Sequence, residues 1–132
     1  MAKPPLPQHL IEMLERPNPA VMGTVNPAGA PVTVATWYRW IDGRVLLNLD
    51  ASRKRLAHLR TDPRVSLTVL DDESWYRHVS LHGSVTLVDD PDLADIDLLA
   101  RHYTGDPYPS RESPRVSAWL AVDSYHAWGL KG

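Results

Sequence analysis

Strand-length apolar segments, separated by turn-forming residues, dominate this chain and limit what it can fold into. Residues 20–25 and 32–40 have the composition of two strands, and the Asn, Pro and Gly residues of 26–31 predict a loop that joins them as a β-hairpin. Asp42-Gly43 is a stronger turn signal and leads into an apolar run at 45–49. Three strands are therefore predicted before the first long helix.

The second half of the chain repeats this alternation. Val65, Leu67 and Val69 alternate with polar residues, and after a polar break at 71–74 a strand pattern runs over 75–88. Gly83 marks a bend or bulge within that strand. Two further strand patterns cover 116–122 and 125–130.

Three segments have helical spacing instead. Residues 1–17 contain a short amphipathic helix that Pro17 ends, and further helices are predicted near 52–61 and 91–104, the last closed by Gly105. The 132 residues are enough for one domain, with the barrel over 18–130. Six or seven strands at this length favour a mostly β fold that closes as a small barrel, because closure removes exposed sheet edges.

Composition excludes several classes of function. The net charge of −2 and the pI of about 6.3 give no field that would attract nucleic acid or an anionic membrane. The absence of cysteine removes thiol nucleophiles, disulfides and thiolate metal sites. No segment is long and apolar enough to span a bilayer, so we expect a soluble, cytoplasmic protein.

No metal site is expected either. His78 and His82 share one face of a predicted strand, but no third ligand accompanies them. The acidic residues of 89–97 suit the positive end of a helix dipole, which makes calcium binding the weaker interpretation.

One basic segment stands apart, Ser52-Arg53-Lys54-Arg55, where a strand gives way to a helix. Unpaired backbone N–H groups, the helix dipole and mobile cations meet there, which is how proteins hold phosphate. We expect Ser52 to cap the helix, Arg55 to lie one turn further on, and Arg53 or Lys54 to cover the flank. The alternative is a solvated basic helix start.

The order of these motifs resembles the flavin/deazaflavin split-barrel superfamily, which includes the pyridoxamine 5′-phosphate oxidases and the F420-dependent reductases. The motifs, in chain order, are Asp42-Gly43, Ser52-Arg53-Lys54, Asp62-Pro63-Arg64-Val65-Ser66-Leu67, Trp75-Tyr76 and residues 79–83. Where the FMN-binding branch carries an Arg and a Lys, this chain has Val32 and Trp37. The chain is therefore more similar to the F420-dependent branch.

The resemblance implies a six- to seven-stranded split β-barrel with two or three short flanking helices. It also implies a homodimer with the cofactor in a groove between protomers. The implied cofactor-binding residues are Ala35, Thr36 and Trp37 against the ring, Ser52, Arg53, Lys54 and Arg55 on the anionic tail, and Trp75 and Tyr76 closing the groove from the other protomer.

The implied activity is hydride transfer from reduced F420 to a small, conjugated, electrophilic substrate. No protein nucleophile is needed, and Tyr76, His78 or solvent would donate the proton that follows. Two alternatives stay open, an FMN-binding oxidoreductase of the pyridoxamine 5′-phosphate oxidase-like type and a non-catalytic protein that only binds flavin or F420.

Overall fold

A computed structural model describes residues 1–131, which form seven strands and three helices. In chain order the elements are α1 (Gln8–Leu14), β1 (Ala20–Val25), β2 (Pro31–Thr36), β3 (Arg39–Ile41), β4 (Arg44–Asp50), α2 (Lys54–Thr61), β5 (Arg64–Leu70), β6 (His78–Asp89), α3 (Ala94–Thr104) and β7 (Arg115–Trp128). None of the described helices has the length and apolar character needed to cross a bilayer.

The strands form one antiparallel sheet in the order β2-β1-β5-β6-β7-β4-β3. The sheet curls around one large core, and a smaller apolar cluster lies between α3 and β4. The two edges of the sheet, β2 and β3, do not pair with each other within residues 1–131. The result is a split β-barrel with three flanking helices, as the resemblance implies. The strand count alone favoured a barrel closed by strand pairing, and such closure is absent from the part of the chain that the structure describes.

The two predicted hairpins are confirmed. β1 pairs with β2, and the Asn26 side chain stabilises their loop by accepting hydrogen bonds from the backbone N–H groups of Ala28 and Ala30. At the turn between β3 and β4, Asp42 and Gly43 have φ angles of 49° and 81°. Two consecutive positive φ values match the twist of a two-residue hairpin, which explains the Asp-Gly pair.

The strand predicted over 32–40 is interrupted at Trp37 and Tyr38. Tyr38 is fully buried, and its hydroxyl donates to the carbonyl of Leu14 at 2.8 Å while accepting from Asn18 Nδ2 at 3.1 Å. These contacts hold the backbone in a corner between β2 and β3. Strand propensity alone does not predict a corner that depends on residues about 20 positions away.

The strand predicted over 75–88 begins only at His78, so Trp75 and Tyr76 lie in a turn. Asp71 stabilises this turn, because its carboxylate accepts hydrogen bonds from the backbone N–H of Glu73 and from Arg77. The two last predicted strands are in fact one continuous strand, β7, which pairs with β6 along its whole length.

Ser52 does not cap α2, so that prediction is wrong. Its hydroxyl donates to the Asp50 carboxylate at 2.7 Å, and the helix begins two residues later, at Lys54. The third helix also begins later than predicted, at Ala94. Asp90 caps it from a buried position by accepting from the backbone N–H groups of Asp95 and Ile96.

The predicted irregularity at Gly83 is confirmed. The β6–β7 register shifts between His82 and Gly83, and a Cβ atom placed on Gly83 would lie 1.8 Å from the carbonyl oxygen of Ala121. Only glycine permits this approach of two backbones.

Gly83→Ala should lower the free energy of unfolding by about 1–3 kcal/mol, because the added methyl overlaps a backbone atom that cannot rotate away. Denaturant titration measures this. Gly23→Ala is the matched control, since its Cβ would meet its nearest atom, the Ser66 carbonyl oxygen, at 3.5 Å. Equal stability of the two variants would contradict the close approach at Gly83.

Candidate functional site

A cleft of about 640 Å³ opens beside the corner at Trp37 and Tyr38, where the barrel is split. It is bounded by the ends of β1 and β2, by α2 and α3, and by the start of β7. The lining residues that bear on function are Ala35, Thr36, Trp37, Asn48, Arg55, Asp72, Tyr103, Tyr108 and Arg115.

Aromatic rings form one wall of this cleft. Trp37 stacks on Tyr103 with ring centroids 5.4 Å apart and an angle of 14° between the planes. Tyr108 meets the same indole edge-on at 6.2 Å and 89°. A flat, apolar surface of this kind suits a planar ring system.

Tyr103 is held in place by its hydroxyl. The group donates to the carbonyl of Asn18 at 2.7 Å and accepts from the backbone N–H of Tyr38 at 3.3 Å. Burial raises the pKa of Tyr103 to about 12, so the phenol is neutral at physiological pH. The proton of this hydroxyl is donated to Asn18, and the ring of Tyr103 lies against the indole of Trp37.

Arg55 supplies positive charge on the other side of the cleft. Its side chain is partly buried, reaches to 3.8 Å from the sulfur of Met22, and has no carboxylate partner among residues 1–131. Burial lowers the pKa of Arg55, and the charges of Arg53 and Arg115 lower it further. An anion bound at this point would relieve both effects.

Arg115 lines the same cleft and was not identified from the sequence. Its Nε donates to Asn48 Oδ1 at 2.7 Å, and its guanidinium carbon lies 4.7 Å above the ring of Tyr108. Asn48 is itself fixed, because its Nδ2 donates to Asp90 and to Ser117, each at 3.1 Å. The sequence contains one indication of this arrangement: Asn48 interrupts the apolar run of β4, and a buried polar side chain needs hydrogen-bond partners.

The structure brings together four of the residues predicted to bind the cofactor. Ala35, Thr36, Trp37 and Arg55 all line the cleft. The other three basic-segment residues, Ser52, Arg53 and Lys54, are exposed and do not line it, although they lead directly into the helical turn that carries Arg55.

Trp75 and Tyr76 are not part of the cleft within one chain. They are 70% and 57% exposed and form an aromatic patch with Trp128, whose ring lies 6.4 Å from that of Tyr76. His78 is also outside the cleft, with its Nδ1 3.2 Å from the carbonyl of Trp75. A predicted proton donor at Tyr76 or His78 would thus reach the cleft only from another molecule.

A second cavity of similar size lies on the outer face of β1, β5 and β6. Its arginine, Arg64, already pairs with Asp62 at 2.6 Å, and no Trp or Tyr lines it. It lacks both the free cation and the flat ring surface of the first cleft. Within residues 1–131, no three His, Asp or Glu side chains are grouped so that they could hold a metal ion.

The family model described as pyridoxamine 5′-phosphate oxidase matches residues 6–129. Among solved structures, the chain is similar to one described as an F420 reductase, with 26% identity, a TM-score of 0.83, and coverage of 92% of this chain and 98% of that one. No curated protein matches the sequence.

Two further structures have the same fold. A conserved hypothetical protein of Mycobacterium tuberculosis, Rv2991, has 25% identity and a TM-score of 0.76, with coverage of 96% of this chain and 86% of that one. General Stress Protein 26 of Bacillus anthracis has 15% identity and a TM-score of 0.70, with coverage of 94% and 97%.

Asp71→Asn should destabilise the protein by about 1–3 kcal/mol at pH 7, because Asp71 accepts charge-assisted bonds from Arg16 and Arg77. The backbone N–H of Glu73, and then Arg77, hold the pKa of the Asp71 carboxyl below its ordinary value. A carboxyl whose pKa is lowered by folding adds stability above its unfolded pKa of about 3.9 and loses that contribution as the pH falls.

The difference in stability between the wild type and Asp71→Asn should therefore become smaller below about pH 4. Thermal unfolding across pH 2–7 measures it, with Glu73→Gln as the control, because the Glu73 side chain is 80% exposed and lies 3.8 Å from Arg77. A gap that stayed constant with pH would rule out the charged form of Asp71 as its source.

Proposed function

This chain belongs to the pyridoxamine 5′-phosphate oxidase family, and from that premise we propose that it is an F420H2-dependent reductase. The observation that carries the proposal is the pairing of a partly buried, unneutralised Arg55 with the flat indole of Trp37 in one cleft. A coenzyme with a planar ring and an anionic tail needs both features.

Two groups of residues fit the two parts of such a coenzyme, its ring and its anionic tail. Ala35, Thr36 and Trp37 would lie against the ring, and the basic segment from Ser52 to Arg55 would hold the tail. Arg55 would bind at the inner end of the tail, while Arg53 and Lys54, being exposed, would bind its outer, more mobile acidic part. The bound coenzyme would supply a hydride for a conjugated, electrophilic substrate.

The protein's own part in the reaction is to orient the coenzyme and the substrate and to exclude water. The stack of Trp37 on Tyr103 gives a rigid surface that keeps two planar molecules in register, and proximity of this kind lowers the barrier without a nucleophile. Tyr103 would not donate a proton, since its hydroxyl is held by Asn18 and its pKa is raised to about 12. Solvent, or Tyr76 or His78 of a second copy, would serve instead.

Two points favour F420 over FMN. The resemblance implies that Val32 and Trp37 stand where the FMN-binding branch carries cations, and the chain is 26% identical to a structure described as an F420 reductase. Titration of the cofactor-free protein with F420 and with FMN, side by side, tests the choice. Tighter binding of FMN would favour the FMN-dependent oxidoreductase, and tight F420 binding without turnover of enones or quinones would favour a protein that only binds the coenzyme.

Replacing Arg55 by Ala should weaken F420 binding by about 1.5–3 kcal/mol for each charge-assisted hydrogen bond lost. The effect of Arg53→Ala should lie in the same direction and be smaller, because an exposed side chain is more strongly screened. Isothermal titration calorimetry measures both. Arg60→Ala is the control, since Arg60 is an exposed arginine on the same helix, and an equal loss there would mean that only net charge matters.

We also propose that two copies assemble as a homodimer, so that the turn that carries Trp75 and Tyr76 in one copy faces the cleft of the other. Trp75, Tyr76 and Trp128 expose apolar surface that a partner would cover.

Trp75→Ser combined with Trp128→Ser should increase the fraction of monomer and weaken F420 binding. Analytical ultracentrifugation at several protein concentrations measures the first effect, with Val88→Ser as a control, because Val88 is an apolar residue about as exposed as Trp128. A wild-type protein that sediments as a monomer at every concentration would refute the dimer.

A further inference from the structure

We propose that Arg115 binds an acidic group of the substrate, so that the substrates of this cleft are planar, conjugated carboxylates. The proposal rests on the function proposed above for the coenzyme's place in the cleft. It assigns a role to the second arginine that lines the cleft, while Arg55 would hold the coenzyme's tail.

The guanidinium of Arg115 is fixed at one edge and open at the other. Its Nε is used by Asn48 at 2.7 Å, and one face lies on the ring of Tyr108. The two terminal nitrogens make no hydrogen bond or ion pair with any described residue. A planar fork with both terminal nitrogens available is suited to a carboxylate, which it binds through two parallel hydrogen bonds.

A chain of hydrogen bonds supports Arg115 from behind. Asn48 is buried, and its two bonds to Asp90 and Ser117 leave its carbonyl oxygen pointing at Arg115. Ser117 is anchored in turn, because its hydroxyl donates to Asp95 at 2.7 Å. Such support restricts the guanidinium to one orientation, which is what recognition of a small anion requires.

Several carboxylates lie near Arg115, but among the described residues none forms an ion pair with its guanidinium. Asp90 and Asp95 lie behind Asn48 and Ser117, from which they accept hydrogen bonds. Asp50 is the neighbour of Arg115 across β4 and β7; it accepts from Ser52, and the charge of Arg115 is one of the causes that lower its pKa. The described lining residues of the cleft include two arginines and one carboxylate, Asp72, and this excess of positive charge favours an anion.

The aromatic wall defines the rest of the ligand. Tyr108, under the guanidinium, touches the edge of the Trp37 indole, so the cation and the flat surface are adjacent. With the coenzyme's ring against Trp37, a substrate stacked on that ring would direct a terminal carboxylate toward Arg115. An unsaturated acid meets both conditions and also supplies the conjugated double bond that a hydride acceptor needs.

The test uses two probes of equal shape, trans-cinnamate and its neutral amide, titrated calorimetrically into the full chain with and without saturating F420. Wild type should bind cinnamate more tightly than cinnamamide. Arg115→Gln should weaken cinnamate binding roughly tenfold or more and leave cinnamamide within about twofold, because only the acid loses a charge-assisted pair. Arg115→Lys, which keeps the charge but not the fork, should give an intermediate loss.

Arg60→Gln is the matched control for loss of one positive charge and should change neither affinity. Melting temperatures near that of wild type establish that the Arg115 variants are folded. The proposal is overturned if wild type does not prefer cinnamate, if Arg115→Gln weakens both probes equally, or if it weakens F420 and not cinnamate. Cinnamate binding that depends on Arg115 in a protein that does not bind F420 would support the anion site and refute the proposed coenzyme.

Discussion

The hydroxyl of Tyr38 is the contact on which the cleft depends. It lies in the core, where an unpaired phenol would be costly, and it is satisfied by the carbonyl of Leu14 and the amide of Asn18. Asn18 also accepts from Tyr103, whose ring supports Trp37. The end of α1, the corner between β2 and β3 and the C-terminal end of α3 are thereby joined, and these are the elements that carry the aromatic wall of the cleft.

Local signals predicted the local parts of the fold. Asp42-Gly43 defined its hairpin because both residues must adopt positive φ, and Gly83 defined the bulge because no side chain fits there. The break at Trp37 was missed because it depends on Tyr38, whose partners lie 20 and 24 positions earlier in the chain. The turn at Trp75 depends on nearby bonds from Glu73 and Arg77 to Asp71, and it was missed because Trp and Tyr favour strands.

The candidate site likewise has a part that the local sequence predicts and a part that it does not. A helix rotates successive residues by about 100°, so the sequence already implied that adjacent cations would diverge, and indeed Arg55 turns into the cleft while Arg53 and Lys54 stay exposed. No comparable pattern in the sequence indicates that Arg115 lines the cleft. Its partner Asn48 lies 67 positions earlier in the chain, and only the pairing of β4 with β7 brings the two together.

That pairing couples the stability of the barrel to the geometry of the cleft. Asp90 caps α3 and accepts from Asn48 with the same carboxylate, so the residue that starts the helix also sets the position of Arg115. A change at Asp90 or Asn48 would disturb folding and recognition together. Arg115 lies at the outer end of this network, where it can vary at little cost to the helix cap. We therefore infer that ligand preference in this cleft can change through Arg115 and Tyr108 while the network behind them is kept.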